Sequence, residues 1–548
     1  MMFAVRTPFS LLAVLWLGLF PAEGSSDTDQ EFPASEPYVD RVRSEGRFMD
    51  LSLKEAVRLA LTNNLEIAIE DFNEDLTEQR IFQTRGDYDP MLSFTTGWNS
   101  NEWPATSILD AGRNVPTSLR RGFELSSSVQ QPVKGGGTLQ MTLNNNRNST
   151  NSAFSIINPN FESYFNFSFS QPLWRGFRQT QTERQLKLYN LDRHINESQF
   201  KERVSAIILR LQTEYWELVS AIDNHETRRQ SREQAVLQHE LNKRRVAVGI
   251  SAPMEVSRTR AEVSKREQAT IQAEVQIVIR QNAVKKLLTP DRSAALWNLT
   301  LIPTDRPRIR PLAIELEEAI EQALKRRPEL ERLNLELEKN RVDRDYYKRE
   351  GKPRINLRAN VGSYGRSGQV FKNVDFFGAL TREPDPAHPF YGNFGDSMGQ
   401  ALGFDYISYG IFVDVEIPLR NRRNEGLMAE TAIAERRLRH ETREQEQVIV
   451  EEVRNAYERL GIQKRELDMS ALAVRFAEEQ LELETKRFKA GLSTNFELLQ
   501  YQRDVAEARL VELRSQIDYQ LALTGLRKAM NTIIDAQDMA VAQGSNSN

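Results

Sequence analysis

Two stretches of the 548-residue chain, RRVAVGISAPMEV (Arg244–Val256) and KRFKAGLSTNFEL (Lys486–Leu498), share one pattern. Each has a basic pair, three further residues, a glycine, an apolar residue and a serine. Both interrupt long charged stretches whose periodicity is helical. A glycine supplies the left-handed position that closes a helix. Ser251, Ser493 or Thr494 can cap the returning helix, and Pro253 suits a first turn. Each stretch therefore reads as the tight turn of a helical hairpin.

The match extends outward from the turns. Gly249 and Gly491, Ser251 and Ser493, Tyr215 and Tyr457, and Leu241 and Leu483 are all 242 residues apart. LSLKEAVRLAL (Leu51–Leu61) matches IELEEAIEQAL (Ile314–Leu324) at a spacing of 263, which also carries Pro90 onto Pro353. Ordered matches of this kind indicate a duplication: residues 51–303, then 314–535, joined by a proline-rich linker at 304–313. Each half reads as a helix (53–83; 316–348), a β-like block, a long polar helix (180–248; 424–489) and a return helix (253–288; 494–530). A helix of that length is ~100 Å long and belongs to coiled-coil architecture. In the first half the two shorter helices together match the long one and can stack beside it.

Composition narrows the class. Hydrophobic residues are 39% and charged residues 27%, with a mean hydropathy of −0.55. That is too polar for a large compact interior and too patterned for disorder. The net charge of −4 leaves no basic footprint, so no nucleic acid is expected. Arg6 followed by the apolar run Phe9–Phe20, Pro21 and small residues reads as a signal peptide over 1–24, with 25–50 a flexible segment and 536–548 a flexible tail. No other run of ~18 uncharged apolar residues occurs, so no membrane-spanning helix is expected. The chain has no cysteine, which excludes disulfides and thiolate metal sites. Its five histidines are scattered, and no phosphate loop or nucleophile elbow is present; catalytic residues, cofactors and metal ligands are not expected.

The β-like segments alternate with period two. Phe165, Phe167 and Phe169 interleave with Asn166, Ser168 and Ser170; Ile355, Leu357, Ala359 and Val361 with Asn356, Arg358 and Asn360; Ile411, Val413 and Val415 with Phe412, Asp414 and Glu416. Phe123, Leu125 and Val129 and then Leu139, Met141 and Leu143 flank the turn KGGG (Lys134–Gly137). Such alternation fits a half-buried soluble sheet or a membrane barrel with a wet lumen. Segment length and aromatics near segment ends (Trp98, Trp103, Tyr164, Trp174, Tyr364, Tyr406) favour the barrel. Four to six strands are too few to close alone, so copies must share it.

This order of pieces, with AVGIS and KAGLS at the interruptions and SQPLWRGF (Ser170–Phe177) before a long helix, resembles the TolC-like outer-membrane efflux proteins over residues 51–530. The resemblance implies a mainly α fold with a β-barrel part. A homotrimer would give four strands per copy to a 12-stranded barrel in outer-membrane lipid, continued by a coiled-coil tunnel through the periplasm. A periplasmic adaptor and an inner-membrane pump of RND, ABC or MFS type would be its partners, and drugs, metals or polypeptides its cargo. By the same resemblance the turn residues Val248, Gly249, Ile250 and Ser251, and Ala490, Gly491, Leu492 and Ser493, would meet the adaptor. Glu497 and Gln500 match the family's two pore-narrowing positions, the second without its carboxylate. Glu497 also completes a capping box with Thr494, a role that needs no pore. Glu255, its counterpart in the first half, reads as structural. The competing reading is the adaptor itself, which would carry one hairpin rather than two.

Overall fold

The computed structural model describes residues 36–106, 115–152, 154–249, 252–307, 309, 314–372 and 383–535. The expected signal peptide and the tail 536–548 lie outside these residues. The first half begins with helix α1 (Tyr38–Glu45), strand β1 (Phe48–Leu51), and helices α2 (Leu53–Asn63) and α3 (Leu65–Arg85). Strands β2 (Met91–Pro104), β3 (Thr117–Val133), β4 (Gly137–Thr150) and β5 (Ile157–Pro172) follow. Then come α4 (Gln181–Ala247), α5 (Met254–Leu288) and β6 (Thr300–Pro303). The second half has α6 (Leu316–Arg326), α7 (Pro328–Glu350), β7 (Arg354–Lys372), the two-residue β8 (Glu383–Pro384), α8 (Phe394–Gly403), β9 (Tyr406–Glu416), α9 (Arg422–Lys489) and α10 (Asn495–Ala529).

The long helices α4 and α9 have 67 and 68 residues, each ~100 Å at 1.5 Å per residue. The helices expected at 53–83 and 316–348 are each broken in two. At the first break Asn64 leaves helical geometry and its side chain accepts from the amides of Glu66 and Ile67, capping α3. At the second, Pro328 opens α7; its ring forbids the preceding residue from staying helical, and Arg327 is extended. The short helices flank the long ones at two levels. Near the sheet the neighbours run α3–α4–α7–α9, and towards the hairpin turns α5–α4–α10–α9. The layer is four helices wide throughout.

One core joins α2, α4, α5 and the β1–β6 pair. Tyr215 is fully buried there. Its hydroxyl donates to the Leu51 carbonyl oxygen at 2.9 Å and accepts from the Asp305 amide at 3.2 Å. The Asp305 carboxylate in turn takes the Leu53 amide at 2.6 Å, so the start of the 304–313 linker is tied into the core. A second, smaller core surrounds Ala319, Ala323, Ile449, Val453 and Leu526. The segment 25–50 needs correction over its described part. It was expected to be flexible, but Tyr38 and Val42 of α1 are buried in the first core, and β1 pairs in parallel with β6.

The remaining strands form one antiparallel sheet in the order β2–β3–β4–β5–β7, with β9 on the far side of β7 and β8 a short addition at the end of β7. The KGGG hairpin lies inside this sheet, as the β3–β4 turn. Among the described residues one chain thus supplies six long strands, and the four implied by the resemblance is corrected to six. The physical reason is that the first half holds two hairpins where the second holds one.

Candidate functional site

The registers put every apolar series on the same side. Leu92 and Phe94 pair with Val129 and Ser127, these with Met141 and Leu143, and these with Phe167 and Phe165. Phe167 and Phe169 then meet Val361 and Ala359, which meet Tyr409 and Ile411. The result is a continuous apolar band across six strands. The opposite face is polar: Ser93 and Thr95, Ser126 and Ser128, Thr142 and Asn144, Asn166 and Ser168, Arg358 and Asn360. Several charges on this face pair across strands. Arg358 grips Asp414 with two bonds, Nε to Oδ2 at 2.5 Å and Nη2 to Oδ1 at 3.0 Å, and Arg366 bonds Glu162.

The aromatic residues require a correction. Tyr164, Tyr364 and Tyr406 share the polar face rather than rimming the apolar one, and Trp103 has the same parity. The rings of Tyr164 and Tyr364 stack 4.3 Å apart. With Asn144, Asn146, Glu162, Arg366 and Phe390 they line a cavity of about 470 Å³ at the end of the sheet away from the long helices. Period-two alternation told which residues share a face, but an aromatic at a strand end satisfies either face. On the apolar face, beyond the band, α8 is seated on Ser163 and Gly365. The Ser163 and Ser397 hydroxyls are 3.0 Å apart, and a Cβ on Gly365 would lie 1.8 Å from the Ser397 carbonyl oxygen.

At the other end lie the two hairpin turns. Gly249 and Gly491 have φ of 76° and 73°, the left-handed geometry the sequence called for. The second turn is a Schellman motif: the Gly491 amide donates to the Phe488 carbonyl oxygen at 3.1 Å and the Leu492 amide to that of Arg487 at 3.0 Å. Val248 is 69% exposed and Leu492 72%, large apolar side chains held out at the tips. Ala490 and Gly491 are exposed beside them, while Ile250 and Ser251 lie outside the described residues.

Thr494, Glu497 and Ser493 are brought together. The Thr494 amide donates to Glu497 Oε2 at 3.0 Å and the Glu497 amide to Thr494 Oγ1 at 3.3 Å, completing a capping box for α10. The Ser493 hydroxyl lies 3.0 Å from the same carboxylate oxygen and also bonds Glu484. Bonding by the Thr494 backbone, then by the Ser493 and Thr494 hydroxyls, holds the Glu497 carboxyl below its ordinary range. Gln500 is exposed one turn further along α10. Glu255 lies 3.9 Å from Arg258 at i,i+3, a surface pairing.

Some tip residues were not singled out from the sequence. Arg245 sits over the Phe488 ring at 5.4 Å and Arg258 over Phe496 at 5.1 Å, so the two tips of one chain are fastened to each other. Glu484, 3% exposed, accepts from Ser493 and, at 3.0 Å, from Arg487. The signal was present: Arg245 belongs to the basic pair before the first glycine, but a basic residue in a last helical turn already has a reason to be there. Among the described residues no group of three or more His, Cys, Asp or Glu could hold a metal ion. None of their helices is long and apolar enough to cross a membrane.

The architecture is an apolar-banded antiparallel sheet carried on a four-helix layer whose two longest helices are each ~100 Å. The sequence model of the outer membrane efflux proteins matches residues 319–532. No curated protein sequence matches the chain significantly. The CmeC outer membrane channel of Campylobacter jejuni shares the fold with a TM-score of 0.61 at 12% identity, over 88% of this chain and 86% of that one. A membrane protein from Pseudomonas aeruginosa does so at 0.60 and 15%, over 87% and 93%. The outer membrane protein VceC from Vibrio cholerae does so at 0.56 and 13%, over 91% and 99%. The family match thus covers most of the second half of the chain, and the likeness in fold to the solved channel structures extends over both halves.

Proposed function

We propose that the chain is one protomer of a homotrimeric efflux duct. Its sheet sits in outer-membrane lipid, its two duplicated helical halves wall a periplasmic tunnel, and its tips meet an adaptor bound to an inner-membrane pump. The observation that carries this reading is the sheet: a continuous apolar band on one face, a polar opposite face and, among the described residues, two unpaired edges. An apolar face of that extent is stable in hydrocarbon, and open edges there are not, so copies must complete a ring around a wet lumen. The helices support the same reading. Ile462, Met469, Phe476 and Leu483 of α9 are exposed at seven-residue intervals, the spacing of a coiled-coil seam awaiting another helix. An adaptor with no pore would have no use for this sheet.

At the tips, Val248 and Leu492 with their turns (Gly249, Ile250, Ser251; Ala490, Gly491, Ser493) form the adaptor-facing surface, since exposed apolar side chains on a rigid turn suit a hydrophobic contact. Three copies of Glu497, with Gln500 a turn beyond, would ring the tunnel near its end. The capping box supports a structural role for the same carboxylate, and both roles can coexist because one oxygen makes the cap bonds. The double variant Val248→Asp with Leu492→Asp tests the docking surface. It should abolish export in cells while the assembled protein remains in the outer-membrane fraction. Unchanged export would contradict the assignment of the tips.

A further inference from the structure

The two edges of the sheet have different owners in the sequence. Among the described residues β2, from the first half, leaves one edge open, and β9, from the second, leaves the other. β2 starts at Met91 by the helical layer and runs away from it, whereas β9 ends at Glu416 beside that layer. Side by side, they are antiparallel. Their face patterns agree as well, since Leu92 and Phe94 continue the apolar band that Val413 and Ile411 leave at the other side. Each edge is thus a strand-length partner for the other on a neighbouring copy.

We infer that β2 of one copy pairs with β9 of the next, so that a trimer closes an 18-stranded barrel with an aqueous lumen. The inference rests on the trimeric reading given above. The widths of the two layers agree with six strands. Four helices abreast at 8–10 Å span ~32–40 Å of circumference. Six strands spaced ~4.8 Å and tilted ~40° span ~38 Å, whereas four would span only ~25 Å. The six-strand sheet therefore meets its own helical layer without a step in diameter. Barrel diameter grows roughly linearly with strand number, so eighteen strands give a mouth about half again as wide as twelve, in the range that leaves an open channel. Ser, Thr, Asn and Gln dominate the polar face of the first-half strands, and Arg358 and Arg366 are each paired with a carboxylate across strands. Such a wall is readily wetted.

The absence of cysteine makes the test clean, because introduced cysteines meet no native thiol. The full-length protein, in its own outer membrane, would carry one of Ser93→Cys, Thr95→Cys or Gly97→Cys together with Ser408→Cys or Phe412→Cys, all on the polar face. Mild oxidation should join chains into covalent dimers and trimers for at least one combination. Thr96→Cys with Phe412→Cys, on opposite faces, should give none. The purified oligomer's mass in detergent should be that of three copies. A three-copy particle in which no same-face pair cross-links, or in which only intrachain links form, would overturn the β2–β9 seam while leaving the trimer. Cross-linked particles of two copies would overturn both the trimer and the eighteen strands.

Discussion

Glu497 is the residue on which two roles converge. As a cap it acts through Thr494; as part of a ring it acts through its charge. The two separate experimentally, because Thr494→Ala removes the cap's hydroxyl and leaves the carboxylate. That change should cost about 1 kcal/mol locally, read as faster hydrogen exchange at the start of α10. In single-channel recordings Glu497→Ala should lower cation selectivity while Thr494→Ala leaves it unchanged; equal effects of the two would assign Glu497 to capping alone. Acidification probes the same group. Because its folded pKa is depressed, its stabilisation is present above the ordinary carboxylate value and is lost as pH falls through the lower folded value. Exchange at the α10 terminus should therefore rise under acid in the wild type, and the rise should be absent in Glu497→Ala.

At the scale of elements, the long helices and their turns were legible because their signals are local. Glycine at a left-handed position, serine or threonine at a cap, and charge alternation over scores of residues each act within a few positions of themselves. The breaks at Asn64 and Arg327 were harder, since apolar spacing runs straight through them and only Pro328 marks one. The place of α8 was not legible at all. It depends on Ser163, Gly365 and Ser397 meeting across more than two hundred residues of sequence, and small residues carry no pattern of their own. Gly365→Val tests that packing: a side chain there meets the Ser397 backbone, so α8 should lift away and its amides exchange faster, with the β7–β9 pairing intact. Unchanged protection of α8 would mean that it is held by something other than this cradle.

For the whole molecule, the sequence carried the sheet's two faces but not its edges. Alternation in Phe165–Phe169 or Ile355–Val361 fixes which side is apolar; it says nothing of which strand lies last, and the count of strands per copy followed only from the registers. The same gap explains Tyr164, Tyr364 and Tyr406, whose face is set by pairing rather than by aromatic character. The central claim, that copies of this chain enclose a continuous aqueous path, is most directly tested by planar-bilayer conductance of the purified full-length oligomer. Discrete, long-lived single-channel steps are expected from inserted protein. Folded, inserted protein that never conducts, under voltages and salts that open channels of comparable bore, would contradict it.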